Sequence, residues 1–307
     1  MAVKMIIDTD PGIDDAMAIF YAAAAPDIEL LGLTTIFGNV HTHQATRNAL
    51  RLVEAVGLNI PVCEGLATPR VLPPFTPSAY VHGDEGFGTI PAAIPDGEKD
   101  TRSAVEFLVE QARLHKGELV LCPIGPLTNI AAAIDADPEF ATNCARIVLM
   151  GGSLSGGNVT EWAEANTYHD PHAAEVVFNS GADVVMVGLD VTDKIQCTLR
   201  DFEAVAESAP DLGGMLLEMT RFYIDFYMSV GKHFGCSLHD PAAVIACTHP
   251  QLFATQGHSL TVSCSGETSG EVRSQGAGRV QVCTGEAHPG AFAEIRSLFL
   301  ETLATLP

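Results

Sequence analysis

The sequence predicts one α/β domain in which helices flank a mostly parallel central sheet. Three observations lead to this prediction. Apolar runs of strand length alternate with helical patterns along the 307 residues. Hydrophobic residues make up 47% of the chain, which is enough for a large core. Neither an internal repeat nor an interdomain linker is evident, so we expect a single domain over residues 1–307.

The alternating pattern assigns the strands and helices in chain order. We predict strands at residues 3–8, 29–36, 118–122, 145–150 and 183–188. We predict helices near residues 14–25, 42–56, 101–116, 126–136, 171–180, 211–230, 240–248 and 288–304. Strand–helix–strand units in this order form a parallel, Rossmann-like sheet with helices on both faces.

The N-terminal elements are the clearest of these. Val3 and the run Met5–Ile7 are typical of a buried strand, which Pro11-Gly12 breaks. From Asp14 onward the sequence AMAIFYAAAA follows, and it has the composition of a helix. Further along, Asp100–Ser103 precedes an apolar-periodic stretch and is typical of a helix start.

Two segments depart from the alternation. Residues 258–284 contain two strand patterns around a turn rich in Gly and Ser, and we predict a C-terminal β-hairpin attached to the main sheet. Residues 69–91 are rich in Pro and Gly and predict a long loop. Long loops in compact domains are often functional.

Charge and cysteine content exclude several kinds of partner. The net charge is −22, which argues against nucleic-acid binding and against an anionic membrane surface. The longest purely apolar stretch, Ala16–Ala25, is too short to span a bilayer. The eight cysteines include no CxxC pair, and the first predicted strand starts almost at Met1, which leaves no room for a signal peptide. We therefore expect a cytoplasmic protein.

Four aspartates crowd around the end of the first strand: Asp8, Asp10, Asp14 and Asp15. In open α/β folds, the carboxyl end of the strands is where ligands bind. Carboxylates packed this closely repel one another unless some are protonated, face solvent or share a cation. A hard divalent cation is the simplest solution. Asp8 lies within the strand, and we expect it to be structural.

Other polar clusters also follow predicted strands and should reach the same edge of the sheet. They are Gly38-Asn39, Pro123–Pro126, Gly151-Gly152 and the segment Ser237–Pro241. Each has an ordinary explanation on its own, such as a turn, or a helix N-cap for Asp240 followed by Pro241. The functional interpretation depends on their convergence on one edge.

These motifs resemble those of the nucleoside hydrolases, the inosine-uridine-preferring N-ribohydrolases. The matching segments, in the family's order, are DTDPGIDDA (8–16), TTIFGNV (34–40), PIGPLTNIA (123–131), MGG (150–152), GNVTEWAEANTYHDPHAA (157–174) and HDPAAV (239–244). The resemblance implies a single nucleoside hydrolase domain that cleaves the N-glycosidic bond of ribonucleosides into ribose and free base. It also implies a homodimer or homotetramer.

The resemblance assigns metal and catalytic roles. It implies that Ca²⁺ is bound by Asp10, Asp15, Asp240 and the backbone carbonyl of Ile124, all hard oxygen donors. It implies that Asp14 is the general base, which takes a proton from a calcium-bound water. Attack by this water on the anomeric carbon builds positive charge on the ribose, which a carboxylate-rich site suits.

The resemblance also assigns the substrate pocket. The expected ribose contacts are Asn39, Asn158, Glu164, Asn166 and, packed near the sugar, Met150. His239 is the expected proton donor to the departing base, because histidine carries a proton near neutral pH.

The base-side residues are expected to be His82, Tyr223 and Tyr227; the two tyrosines lie four apart on one helical face. The family's purine-specific branch stacks the base between two tryptophans and lacks a histidine before the metal-binding Asp. This chain has one tryptophan, Trp162, and has His239, which argues against that branch. Two residues depart from the family pattern: Ala165 stands where an aromatic is usual, and Trp162 replaces a smaller residue.

Two alternatives remain open at this point. A haloacid-dehalogenase-like, Mg²⁺-dependent phosphohydrolase also has an Asp-x-Asp motif after its first strand. In this chain Pro11-Gly12 follows that motif, and the pair Asp14-Asp15 would have no role. The second alternative is a non-catalytic relative that binds calcium or ribose.

Overall fold

The computed structural model describes residues 2–73, 75–232 and 235–307. Its strands are β1 (Val3–Thr9), β2 (Ile28–Thr35), β3 (Val62–Glu64), β4 (Val120–Pro123), β5 (Arg146–Met150), β6 (Val184–Val187), β7 (Gln196–Cys197), β8 (Cys236–Ser237), β9 (Phe253–Val262), β10 (Val272–Ala277) and β11 (Val280–Glu286).

The helices lie between these strands and after them. They are α1 (Ile13–Ala24), α2 (Thr42–Ala55), α3 (Ala79–His82), α4 (Ala104–Leu114), α5 (Thr128–Ala136), α6 (Phe140–Asn143), α7 (Ala165–His169), α8 (Pro171–Phe178), α9 (Leu189–Thr192), α10 (Leu199–Ser208), α11 (Pro210–Ser229), α12 (His239–Thr248) and α13 (Ala291–Leu303), with a 3₁₀ turn at Pro250–Leu252.

Within the described residues, nine strands form one sheet in the order β10-β9-β11-β6-β5-β4-β1-β2-β3. The strands from β3 to β6, and β6 with β11, run parallel. The carboxyl ends of β1, β2, β4, β5 and β6 therefore meet along one edge, where the sequence placed its polar clusters. The predicted single α/β domain with a mostly parallel sheet is confirmed.

The sheet is buried on both faces. In β1, Ile6 packs into one hydrophobic core with α4, α5 and α8, while Met5 and Ile7 pack into the other with α1, α11, α12 and α13. Successive residues of a strand face opposite sides, so a strand covered twice reads as a continuous apolar run. This explains why the first strand was so clear in the sequence.

The predicted C-terminal hairpin is wrong in its strand number. Three strands are present, and β9 pairs antiparallel with both β10 and β11. β11 also pairs parallel with β6, which joins this unit to the main sheet. The first predicted strand pattern is the second half of β9, which begins earlier, at Phe253, and the second pattern divides into β10 and β11 after Ala277.

Of the two helix starts that the sequence indicated, one has the expected capping residue and the other does not. Ser103 caps α4 as predicted: its side chain accepts a hydrogen bond from the Glu106 amide, and Glu106 accepts one from the Ser103 amide. Asp240 is not the N-cap of its helix, because α12 begins one residue earlier, at His239. Its carboxylate instead faces the polar edge of the sheet. Within the described residues, no helix has the length and the hydropathy that a bilayer crossing requires.

Candidate active site

A cavity of about 380 Å³ opens at the carboxyl edge of the sheet. All the predicted site residues except Asp10 and Asp15 line it. These lining residues are Asp14, Asn39, His82, Ile124, Met150, Asn158, Glu164, Asn166, Tyr223, Tyr227, His239 and Asp240. The cavity therefore brings together side chains that are up to 226 positions apart in the chain, from Asp14 to Asp240.

Asp15 is held in place by four donors. One carboxylate oxygen accepts from the Thr9 hydroxyl and the Asp10 amide, and the other accepts from the Gly12 amide and the Asn39 side chain. Asn39 also donates its backbone N–H to Asp10 Oδ2 at 2.6 Å. The β2 edge thus fixes the orientation of two carboxylates that come from the β1 edge.

Asp10 is fully buried and keeps one oxygen, Oδ1, without a hydrogen-bond partner among the described residues. Two glycines allow the chain to pass close to it. A Cβ atom at Gly38 would lie 2.0 Å from Asp10 Oδ2, and one at Gly125 would lie 2.5 Å from Oδ1. Gly38 also has a φ of +155°, which disfavours larger residues.

Three carboxylates come together at what we call the floor of the cavity: Asp14 and Asp240 line the cavity there, and Asp15, which does not line it, lies against them. Oxygens of Asp14, Asp15 and Asp240 all lie within 4.8 Å of one another, and all three residues are buried. Burial, and then repulsion from Asp14 and Asp15, holds the pKa of Asp240 well above its usual range. Burial and repulsion from Asp15 likewise raise the pKa of Asp10. Hard oxygen donors that repel one another fit a divalent cation.

This triplet differs from the ligand set expected from the sequence, because it contains Asp14 where Asp10 was expected. Asp10 lies beside the triplet and contributes to the repulsion that Asp240 feels. The Ile124 carbonyl, the expected backbone ligand, accepts a hydrogen bond from Asn166 Nδ2 at 2.9 Å. In this cluster of aspartates, Asp8, Asp10 and Asp14 each have one buried oxygen without a hydrogen-bond partner among the described residues.

Asp14 faces the cavity between two aromatic side chains. The Tyr223 hydroxyl donates to Asp14 Oδ2 at 3.2 Å, and His82 Nδ1 lies 3.8 Å from Oδ1. His82 Nδ1 accepts from the Ile13 amide, and burial lowers the pKa of His82 to about 4, so this ring is neutral at neutral pH. Burial raises the pKa of Asp14.

Three of the expected ribose residues, Met150, Glu164 and Asn166, are joined by hydrogen bonds. Glu164 accepts from the amides of Gly152, Asn166 and Thr167, which caps α7. Asn166 Nδ2 donates to the carbonyls of Ile124 and Met150. These contacts hold the carboxylate and the amide rigidly against the cavity.

Another group of lining residues, His82, Tyr223, Tyr227 and His239, carries aromatic rings, and we call it the aromatic wall. The rings of Tyr223 and Tyr227 meet at 87° with centroids 5.0 Å apart, and His82 stacks on Tyr223. The Tyr227 hydroxyl and His239 Nε2 are hydrogen-bonded at 2.7 Å, and His239 Nδ1 pairs with the Thr192 hydroxyl at 2.8 Å. Burial lowers the pKa of His239.

Of the two residues that depart from the family pattern, Ala165 lines the cavity, while Trp162 is not among its lining residues and is 40% exposed. The sequence interpretation missed Asp193 and Lys232, which also line the cavity. Asp193 follows the carboxyl end of β6. The other clusters were found because polar residues after a strand reach this edge of the sheet, and the same reasoning would have found Asp193. Lys232 follows a long helix and carried no comparable signal.

The fold and the site together define a class, the α/β N-ribohydrolases. The family model for the inosine-uridine preferring nucleoside hydrolases matches residues 5–292, and the chain belongs to this family. It is therefore a metal-dependent enzyme that hydrolyses the N-glycosyl bond of ribonucleosides. This match sets aside the haloacid-dehalogenase-like alternative.

Similar proteins differ in the base that their names report. A probable uridine nucleosidase of Arabidopsis thaliana is 44% identical over 87% of this chain and 84% of its own. A purine-preferring ribonucleoside hydrolase from Gardnerella vaginalis has a similar structure, with a TM-score of 0.92, 36% identity and coverage of 98% of this chain and 99% of its own. The plant nucleoside hydrolase PpNRh1 superposes with a TM-score of 0.94 at 34% identity, covering 99% and 100%.

Proposed function

We propose that this enzyme is a calcium-dependent hydrolase of uridine- and inosine-type ribonucleosides. The observation that supports the proposal most is the buried triplet of Asp14, Asp15 and Asp240 at the floor of the cavity. The same cavity is also lined by the aromatic wall. The floor offers oxygens to a cation and to ribose hydroxyls, and the wall offers aromatic faces and a histidine to a base.

The proposed cation ligands are Asp10, Asp15, Asp240 and the carbonyl of Ile124. The free oxygen of Asp10 supports this set, because a buried carboxylate oxygen without a donor is best satisfied by a cation. The donor set contains only hard oxygens, which favours Ca²⁺ over zinc. When bound, the cation lowers the pKa of a neighbouring water and fixes its position.

Asp14 is the proposed general base. Asp14 lines the cavity, and its Oδ1, which has no hydrogen-bond partner among the described residues, accepts one proton from the attacking water while Tyr223 holds Oδ2 in place. The water oxygen forms a bond to the anomeric carbon as the bond from that carbon to the base nitrogen breaks. The electron pair of the broken bond leaves with the base.

Ribose binding is assigned to Asn39, Asn158, Glu164 and Asn166, with Met150 packed beside the sugar. Amide and carboxylate groups can hydrogen-bond the hydroxyls from more than one side and hold the ring for in-line attack. The surrounding carboxylates stabilise the positive charge that develops on the ribose ring.

His239 is the proposed proton donor to the leaving base, and Tyr227 and Thr192 hold its ring between them. The base lies against His82, Tyr223 and Tyr227. Two features support uridine- and inosine-type substrates: the name of the Arabidopsis relative, and an aromatic wall that contains tyrosines and no tryptophan among the described lining residues.

The direct test is the release of free ribose from uridine, inosine, cytidine, adenosine and guanosine in calcium-containing buffer without phosphate. We expect the highest kcat/KM with uridine or inosine, and loss of turnover after chelation with recovery on adding Ca²⁺. Release of ribose from none of the five would contradict the proposal, and preference for purines alone would contradict its substrate part.

We also propose a cytoplasmic homodimer or homotetramer acting on free nucleosides. The eight cysteines are all free thiols, which suits a reducing compartment. The oligomeric state follows only from family resemblance, and light scattering during size-exclusion chromatography tests it. A monomeric mass in active fractions would contradict it.

A further inference from the structure

A closed circuit of contacts links Tyr227 of the aromatic wall to Lys232, Asp193 and His239. From the carboxylate floor, Asp14 contacts Tyr223, whose ring contacts Tyr227. Lys232 Nζ lies 5.4 Å from the centre of the Tyr227 ring, so in the order of contacts that starts at Asp14 it follows both tyrosines. Lys232 Nζ also donates to Asp193 Oδ1 at 2.7 Å.

The end of α11 places Lys232 there. Gly231 takes a φ of +82°, and the Lys232 amide then donates to the Tyr227 carbonyl at 2.9 Å. Such a left-handed turn after a helix folds the next residue back along the last turn. Asp193 follows α9, whose last residue, Thr192, is hydrogen-bonded to His239. The circuit of contacts thus joins the ends of α9 and α11 to the start of α12.

Lys232 is the one lysine or arginine among the described residues that line the cavity; the other charged lining residues are Asp14, Glu164, Asp193 and Asp240. An ammonium group carries three N–H donors and no acceptor. The contact with Asp193 uses one of them, so the group can donate to a further acceptor in the cavity. Asp193 fixes the ammonium in place and is a positioning residue.

We propose that Lys232 selects nucleosides whose base carries a carbonyl oxygen, rather than an amino group, on the edge remote from the ribose. The inference depends on the proposed function, since it assigns the base to this end of the cavity. Uracil and hypoxanthine present such an oxygen, whereas cytosine and adenine present an amino group. An ammonium donates to the oxygen, but opposite an amino group both partners are donors and stay unpaired.

The test compares kcat/KM for two matched pairs, uridine with cytidine and inosine with adenosine. Wild type should prefer the first member of each pair. Lys232→Met keeps an apolar stem beside Tyr227 without the donor, and it should lower both preference ratios about 10-fold. Lys232→Gln offers a donor and an acceptor, so it should lower the ratios as well. Lys232→Arg keeps the charge and should preserve them.

A purely structural role for Lys232 would lower all four kcat/KM values by the same factor and leave the ratios unchanged, which would overturn the inference. A wild-type ratio of one or less would overturn it too. The Lys232 side chain is 41% exposed, so these variants should fold, and thermal unfolding checks this. Ribose release with unaltered ratios contradicts only this inference, whereas no ribose release by wild type contradicts the proposed function.

Discussion

At the scale of residues, four neighbouring aspartates have four different surroundings. Asp8 accepts from the Thr34 hydroxyl and the Asn129 amide outside the cavity, and burial raises its pKa to about 7. Both oxygens of Asp15 accept from donors, whereas Asp8, Asp10 and Asp14 each keep one buried oxygen without a partner, and of these three Asp14 lines the cavity. We infer that the free oxygen of Asp10 binds the cation, that the free oxygen of Asp14 accepts the proton, and that the donors around Asp15 hold its carboxylate in place for the cation.

The different surroundings of Asp8 and Asp10 predict that the same substitution affects calcium binding at one position and not at the other. Asp8→Asn should retain calcium binding and turnover within about threefold, because its partners Thr34 and Asn129 lie outside the cavity. Asp10→Asn removes a charge that we assign to the cation and should weaken calcium binding by 10-fold or more. Isothermal titration calorimetry with Ca²⁺ measures both. Equal losses in the two variants would contradict the separation of roles.

The close approach at Gly125 gives a second prediction. Gly125→Ala would place a Cβ atom 2.5 Å from Asp10 Oδ1 and should displace that carboxylate, with at least a 10-fold loss of calcium affinity. Gly214→Ala is the control: it lies in α11 with open space around it, and alanine should stabilise the helix by up to about 1 kcal/mol. Unchanged calcium affinity in Gly125→Ala would show that Asp10 does not hold the cation.

At the scale of elements, the sequence predicted those whose signals are local. The buried run of β1 and the cap of α4 are read directly from neighbouring residues. The two-residue strands β7 and β8 carry no such signal, because they exist only through their pairing with each other. The division of the second hairpin strand into β10 and β11 was missed for a related reason: the pairing of both strands with β9 is decided by the folded sheet.

The cap of α4 predicts a stability change without a change in function. Ser103→Ala removes the acceptor for the Glu106 amide and should lower the free energy of unfolding by about 1 kcal/mol. Urea denaturation followed by circular dichroism measures it, with ribose release as the functional readout. A change below about 0.3 kcal/mol, or a loss of activity, would contradict the assignment of Ser103 as a purely structural cap.

At the scale of the whole molecule, the site exists only after the chain has closed. Asp240 reaches Asp14 and Asp15 because α12 packs against α1 and the sheet edge. The convergence was predictable, since parallel strands end at one edge. Which carboxylates approach most closely, and the part played by Lys232, depend on side-chain packing that sequence spacing does not encode.

The buried carboxylates also make the stability of the folded protein depend on pH and on a bound metal. Without a cation, the raised pKa values of Asp10 and Asp240 mean that the folded state holds more protons than the unfolded state above about pH 4. The lowered pKa values of the buried His82, His169 and His239 act in the opposite direction below about pH 6.5, so the stability of the chelated protein should fall as pH rises from about 6.5 to 8. In the proposed function calcium takes the place of those protons, so its stabilising effect should grow as pH rises from 5 to 8.

Differential scanning fluorimetry with EDTA or Ca²⁺ measures this effect at each pH. We expect the difference in Tm between the two conditions to widen from pH 5 to 8, and to be smaller in Asp10→Asn. A difference that stays constant or narrows would show that the cluster does not exchange protons for a cation.

The most direct test of the central claim compares calcium binding and uridine hydrolysis in Asp14→Asn. The substitution keeps the size of the side chain and removes its ability to accept a proton from water. We predict that calcium affinity stays within a few-fold of wild type while kcat falls by about 10² to 10⁴. Near-wild-type turnover would show that Asp14 is not the base, and loss of calcium binding would place Asp14 among the metal ligands.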